Sequence, residues 1–410
     1  MNEYAVIILA GIVLIEAVEW YADRLNLSAL KREVPDEFSD VYDAEEYAKS
    51  QEYTKEKTKF GWLGGGFDLA AFLLFWFLGG FVWLDAVVEG WGMSQLFTGI
   101  AYIGLLGGAK AVLDLPFTLY STFVIEEKYG FNTTTAKTFL LDTLKSLALT
   151  LIIGGPIIAV ILFFFMEAGP LAWLIAWGSV SIVTIALQYI APHWIMPLFN
   201  KFEPLEEGEL RSAILAYADS VDFPLDGIYV MDASKRSRKS NAFFTGFGKS
   251  KRIVLFDTLV ASHAVTEIVS VIAHEVGHYK KKHIPLNMAL SVGYTGVMFY
   301  LLSLFIGSDA LARAFYVQEA SVYTGIVFFG VLFSPLSTML SAAMNVLSRR
   351  HEYQADTFAS DTYEKPMELA EALKKLSKEN LSNLTPHPFY VRLHYSHPPV
   401  LARIEALKRL

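Results

Sequence analysis

The chain contains no cysteine. Disulfides and thiolate ligands are therefore excluded, and any bound metal must be held by His, Asp or Glu. Positive charge is not in excess either. The formal net charge is −8, which argues against a nucleic-acid partner, because such partners need a basic face. No internal repeat or low-complexity segment occurs. Charged residues make up only 19% of the 410, against 53% hydrophobic and 14% aromatic, with a mean hydropathy of +0.37. Ordinary soluble domains are about 45–50% apolar. The length alone would allow two or three domains.

What is present is a set of long apolar runs. Seven can be read, at 4–21, 63–88, 96–125, 139–166, 171–196, 284–306 and 321–347. Each approaches or exceeds the roughly 20 residues that a helix needs to cross a bilayer core. They are apolar nearly all round, unlike the amphipathic helices of soluble proteins. The first lacks a positive n-region and an A-x-A cleavage site, so it reads as a spanning helix and not as a signal peptide. Lys and Arg alternate between connections. They are frequent from Arg24 to Lys59, absent at 89–95, present as Lys128 and Lys137, absent at 167–170 and frequent again at 198–283. Only Arg313 falls within 307–320. The positive-inside rule then puts the N-terminus outside, and 198–283 and the C-terminal tail in the cytosol. Lys110 and Asp114, four apart and deep in a span, can pair on one helix face. Charge at that depth points to a hydrated chamber within the membrane. The acidic stretch 36–56 reads as a solvated cytosolic loop or helix.

His274-Glu275-Val276-Gly277-His278 matches H-E-x-x-H. Positions i and i+4 share a helix face, so two imidazoles can grip one zinc. The glutamate between them can take a proton from an attacking water. Ile268, Val269, Val271 and Ile272 suit a buried helix. Five residues alone would equally fit a helix with two structural histidines. A third ligand decides between the readings. The metzincin pattern would put Gly at 281 and His at 284, where the chain has Lys281 and Ile284. Glu352 in Arg349-Arg350-His351-Glu352-Tyr353-Gln354-Ala355-Asp356 can supply it instead. Asp356, one turn on, can orient a ligand histidine from behind. The remaining six histidines, His283 and His351 among them, read as structural or surface residues. The run Lys280–Lys282 reads as an interfacial anchor.

These blocks, with Glu126-Glu127-Lys128-Tyr129-Gly130-Phe131-Asn132, Ser240-Asn241-Ala242-Phe243-Phe244-Thr245-Gly246-Phe247-Gly248 and Tyr395-Ser396-His397-Pro398-Pro399, resemble the type 1 CAAX prenyl protease (Ste24-like) family. These are membrane zinc metalloproteases of the gluzincin group. The likeness implies one Zn2+ on His274, His278 and Glu352, with Glu275 as catalytic base. It implies His397 and Arg403 beside the oxyanion of the reaction. It also implies that the substrate backbone runs along Asn241, Ala242 and Phe243. In the residues themselves, 241–248 and 252–257 read as two strands joined by Gly-Lys-Ser-Lys, and a free strand edge can take up an extended peptide. His397 precedes two prolines and is held extended.

The expected architecture is mainly α, with seven membrane helices and a gluzincin-type metalloprotease part that carries a small β-hairpin. Five spans lie in 1–197, with a cytosolic loop at 22–62. A metalloprotease part at 198–283 follows, then two spans at 284–348 and a C-terminal part at 349–410. The expected partners are a peptide or protein substrate, prenylated in the family's eponymous reaction, and the lipid bilayer. A monomer is expected. The alternatives are a quality-control protease without prenyl specificity and, in another class, a non-catalytic scaffold or transporter. Lack of cysteine and of a retention signal favours a prokaryotic cytoplasmic membrane over the endoplasmic reticulum.

Overall fold

The computed structural model describes residues 1–247 and 250–410. Among these, seven helices are long and apolar enough to cross a membrane: Glu3–Ser28, Ala44–Phe77, Gln95–Glu126, Ala136–Glu167, Gly169–Leu198, His283–Phe305 and Val322–Tyr363. Their outward side chains would be untenable in water. Ile7, Leu14, Val112, Ile152 and Ile182 are 57–70% exposed, as lipid-facing residues should be.

Two spans depart from the sequence reading. Span two is extended towards its start and cut short at its end. It begins at an Asp43 capping box closed by Glu46 and stops at Phe77, because Gly79 takes φ +77° and turns the chain. The apolar run continues past the break as a separate helix, Gly80–Glu89. Phe81, Leu84 and Val88 there are almost fully buried against Trp76, Phe315 and Phe328. Hydropathy is blind to such a break, since both pieces are apolar. Span seven continues without interruption from Val322 to Tyr363. The membrane helix and the segment bearing Glu352 are therefore one continuous helix.

The acidic stretch at 36–56 is not merely solvated. Phe38, Tyr42 and Tyr47 are 0–4% exposed and belong to the core of the water-exposed part. Lys374 reaches Glu37 and Asp40 at 3.4 Å each. Aromatics spaced among the acids provide the docking face.

Four strands form one sheet in the order β1-β2-β4-β3: β1 (Phe202–Pro204), β2 (Leu225–Met231), β3 (Ala242–Phe247) and β4 (Ser250–Phe256). β3 and β4 are antiparallel, with Ala242 opposite Leu255 and Phe243 opposite Val254. β2 runs parallel to β4. The expected hairpin is there, extended by two strands. Gly248 and Lys249 of its connection lie outside the described residues. Helix Val265–Lys280 packs beside β3 and against span seven. Ile268, Val269, Val271, Ile272 and Val276 are at most 8% exposed in the shared core.

Candidate active site

Three local features bring the polar residues together. The first is Gly277. A Cβ added there would lie 3.0 Å from the Ala355 Cα and carbonyl oxygen, so glycine lets helix Val265–Lys280 and span seven touch backbone to backbone. Glu352 lies one turn before Ala355 and so faces the two histidines. The second is Lys282, which takes φ +60° and ψ +33°. This left-handed residue separates the helix from span six and turns His283 back towards His278. The third is the chain around Pro398 and Pro399. The Arg349 guanidinium donates to the carbonyls of Val391 and Tyr395, which anchors the segment before His397 to span seven.

His274, His278 and Glu352 face one another. The two Nε2 atoms are 3.1 Å apart. Glu352 Oε2 is 3.4 Å from His274 Nε2, and Oε1 is 3.3 Å from His278 Nε2. Ligands about 2.0–2.1 Å from a tetrahedral zinc stand about 3.3 Å from one another, and these spacings, which end on the two different Glu352 oxygens, are close to that value. Glu352 is 4% exposed. Its Oε2 approaches His397 Nδ1 at 2.8 Å and Arg403 Nη1 at 3.5 Å, yet no approach is aligned as a hydrogen bond. A buried carboxylate oxygen left in this way, facing two imidazole nitrogens, fits a cation.

Asp356 is 2% exposed and lies 2.8 Å from His274 Nδ1. It thus accepts that proton and leaves Nε2 to the triangle. Arg403 donates to both Asp356 oxygens, from Nε at 2.9 Å and Nη2 at 2.6 Å. Burial and the Arg403 charge work against protonation of His274. The Asp356 and Glu352 carboxylates override them and hold its pKa up at about 9. Glu275 lies beside the two histidines, half-buried, and burial pushes its carboxyl above the usual carboxylate range. His397 is exposed at the rim, with 65% of its side chain accessible.

Asn241 is exposed just before β3 and accepts a hydrogen bond from the Ala242 amide at 2.8 Å. Ala242 is buried and Phe243 half-buried. Among the described residues β3 pairs only with β4, so its other edge is unpaired. The Glu126–Asn132 block secures the approach to this strand. Glu126 accepts from Lys239 Nζ at 3.0 Å and Tyr53 Oη at 2.6 Å. Asn132 forms an isolated bridge with Ser237, and Gly130 supplies the required φ of +84°.

His283, read from the sequence as structural or surface, and Gln354 come together beside His278. His283 is 2% exposed, with Nδ1 3.0 Å from His278 Nδ1 and Nε2 2.8 Å from Gln354 Oε1. Its ring stacks on His351 at 4.0 Å. A spacing of five does not share a helix face, and the left-handed Lys282 that closes the gap left no signal.

Residues 204–410 match the model of Peptidase family M48. Residues 24–201 match that of the CAAX prenyl protease N-terminal region, five membrane helices. The chain belongs to peptidase family M48. It is thus a multi-pass membrane metalloprotease acting on peptide or protein substrates, as its motifs led one to expect. Among its relatives is CAAX prenyl protease 1 of Saccharomyces cerevisiae, 38% identical over 94% of this chain and 90% of that protein. The CAAX prenyl protease 1 homologues of Arabidopsis thaliana and Homo sapiens are 37% and 34% identical. They cover 95% and 92% of this chain, and 94% and 89% of their own lengths. The crystal structure of S. mikatae Ste24p superposes with a TM-score of 0.94 at 35% identity, covering 99% of both chains.

Proposed function

We propose that this chain is a zinc endopeptidase that cleaves near the C-terminus of CAAX-type proteins at the membrane surface. Zn2+ would be held by His274, His278 and Glu352. The observation that carries the metal reading is the cluster of His274, His278 and Glu352, with spacings of 3.1, 3.3 and 3.4 Å, together with a buried Glu352 Oε2 that no hydrogen bond satisfies. The substrate class rests on the names of relatives that match nearly the whole chain.

When bound, zinc supplies the Lewis acidity that polarises the scissile carbonyl. Glu275 takes a proton from the attacking water and passes it to the leaving amine. Its raised pKa suits both halves of that task. His397, exposed at the rim, is the donor for the developing oxyanion. Arg403 is committed to Asp356 on two nitrogens, so its role here is to hold Asp356 and thereby His274. The unpaired edge of β3, entered at Asn241, Ala242 and Phe243, offers backbone groups to an extended substrate.

The alternation of Lys and Arg supports an external N-terminus and an active site on the cytosolic side. Lys110 lies 3.1 Å from Asp68, and both side chains are at least 40% exposed within spans two and three. Such charges are tolerable where they face a water-filled chamber. The relatives come from eukaryotes, so an endoplasmic reticulum membrane fits them better than the prokaryotic membrane suggested by composition.

The test uses the purified, zinc-loaded protein and Glu275→Gln. The substitution is expected to leave metal content unchanged and to lower cleavage of a CAAX peptide by at least about 10²–10⁴-fold. Full activity in the variant would overturn the mechanism. Equal rates on prenylated and unprenylated peptides would remove the prenyl specificity and favour a broader quality-control protease.

A further inference from the structure

We infer that His283 and Gln354 are positioning residues, which fix His278 in the single tautomer that can present Nε2 to a metal. This rests on the reading of His278 as a ligand. The three side chains form a line: His278 Nδ1 to His283 Nδ1 at 3.0 Å, and His283 Nε2 to Gln354 Oε1 at 2.8 Å. A neutral imidazole has one donor nitrogen and one acceptor nitrogen. If His278 Nε2 is to hold a lone pair for the metal, its proton sits on Nδ1. His283 Nδ1 must then accept, so the His283 proton sits on Nε2, and that proton needs an acceptor. Gln354 Oε1 is the acceptor present. Reversing any link, by an amide flip at Gln354 or a second proton on His283, would put a donor at His283 Nδ1. It would drive the His278 proton onto Nε2, where a metal could not bind. With His278 Nε2 kept for the metal, only one assignment satisfies the line.

The surroundings hold the relay in place. His283 is 2% exposed, so its ring is shielded from water, while Gln354 closes the line at the exposed end. Its ring stacks on His351, with centroids 4.0 Å apart and planes within 8°, which fixes the imidazole plane. Gln354 is two residues after Glu352 on span seven, so the same helix carries a metal ligand and the terminus of the relay. Lys282 adopts its left-handed conformation at the junction that delivers His283. Backbone strain concentrated at a functional junction has a physical rationale.

The experiment uses the full-length protein in detergent, stripped of metal, with Zn2+ as the probe. The Zn2+ Kd is measured by chelator competition, and histidine 15N shifts report protonation at Nδ1 of His278. His283→Phe keeps a flat ring against His351 and removes the acceptor. Gln354→Leu leaves both rings and removes the terminus. Both are expected to weaken Zn2+ binding by about 10–100-fold. Gln354→Glu, which keeps an acceptor, should stay within a few-fold of the parent. Wild-type Kd in either His283→Phe or Gln354→Leu, or an unprotonated Nδ1 on His278 in the parent, overturns the relay. If the parent takes up no Zn2+, the ligand reading itself fails. If the parent binds and the variants match it, only this inference fails. Should His283→Phe not fold, Gln354→Leu decides alone.

Discussion

The two histidines of the metal triangle are supported in opposite ways. Behind His274 stands a full negative charge, Asp356, itself neutralised by Arg403 through two hydrogen bonds of 2.9 and 2.6 Å. Behind His278 stands a neutral chain, His283 and then Gln354. Both arrangements take the Nδ1 proton and leave Nε2 to the metal. The difference follows from the charge of the pocket. Glu352, Asp356 and Glu275 already place three carboxylates around the site, with Arg403 as the one guanidinium among them. A carboxylate in the place of His283, which is 2% exposed, would add a buried charge with no counter-ion, which costs far more than a neutral side chain that is hydrogen-bonded. A neutral relay gives direction without that charge.

This contrast sets the order of expected effects. The largest belongs to Asp356→Asn. It takes the bidentate partner from the Arg403 guanidinium, 8% exposed, leaving it only the longer approach to Glu352 at 3.5 Å, and should cost about 3 kcal/mol of stability. The measurement is Tm or chemical unfolding of the metal-free protein in detergent. Replacing both partners, as Asp356→Leu with Arg403→Leu, should recover much of that stability, because no charge is left unpaired. Metal affinity should stay low in the double variant, since His274 still lacks its acceptor. The neutral side should behave differently, with Gln354→Leu altering metal affinity while moving Tm little. If Asp356→Asn proves as mild in Tm as Gln354→Leu, the two sides are equivalent and the charge argument is wrong.

The sequence carried more of the inner layer of this site than of the outer one. His274, Glu275 and His278 share a periodic helix motif, so the code is local. Glu352 needed a second helix, but exclusion of the metzincin pattern and its spacing from Asp356 made it visible. Arg403 was expected beside the oxyanion. The structure also pairs it with Asp356, a tertiary pairing that no spacing encodes. His283 stayed hidden for a related reason: its contact depends on one left-handed lysine, and φ has no signature in a Lys-Lys-Lys run. The membrane part shows the same limit. Hydropathy marked all seven spans, yet it missed the break at Gly79 because the residues beyond it are apolar too. It also divided span seven near 348, because the apolar run ends there although the helix does not.

A change that touches both imidazoles together should erase the contrast. Gly277→Ala is that change. The added Cβ meets the Ala355 backbone at 3.0 Å and must push helix Val265–Lys280 away from span seven. Alanine is intrinsically better in a helix by about 1 kcal/mol, while overpacking costs about 1–3 kcal/mol. A net loss up to about 2 kcal/mol is expected from those terms. The Glu352 edges to His274 and His278 should lengthen alike. Zn2+ Kd and Tm should worsen together, unlike Gln354→Leu, where only Kd moves. An unchanged Kd in Gly277→Ala would mean that the helix spacing does not set the triangle.

The smallest effect tests the junction that makes the neutral side possible. Lys282 holds φ +60°, which costs a non-glycine residue about 1 kcal/mol. Lys282→Gly removes that strain but also loosens the unfolded chain, so the net change in Tm should be within about 1 kcal/mol. Lys282→Val, whose branched side chain tolerates the left-handed region worst, should lower Tm and weaken Zn2+ binding by moving His283 away from His278. The His274 side should be untouched in both, which 15N shifts of the two imidazoles can read separately. If Lys282→Val disturbs His274 and His278 equally, then the turn governs the whole helix and not the one histidine, and the two supports are not independent.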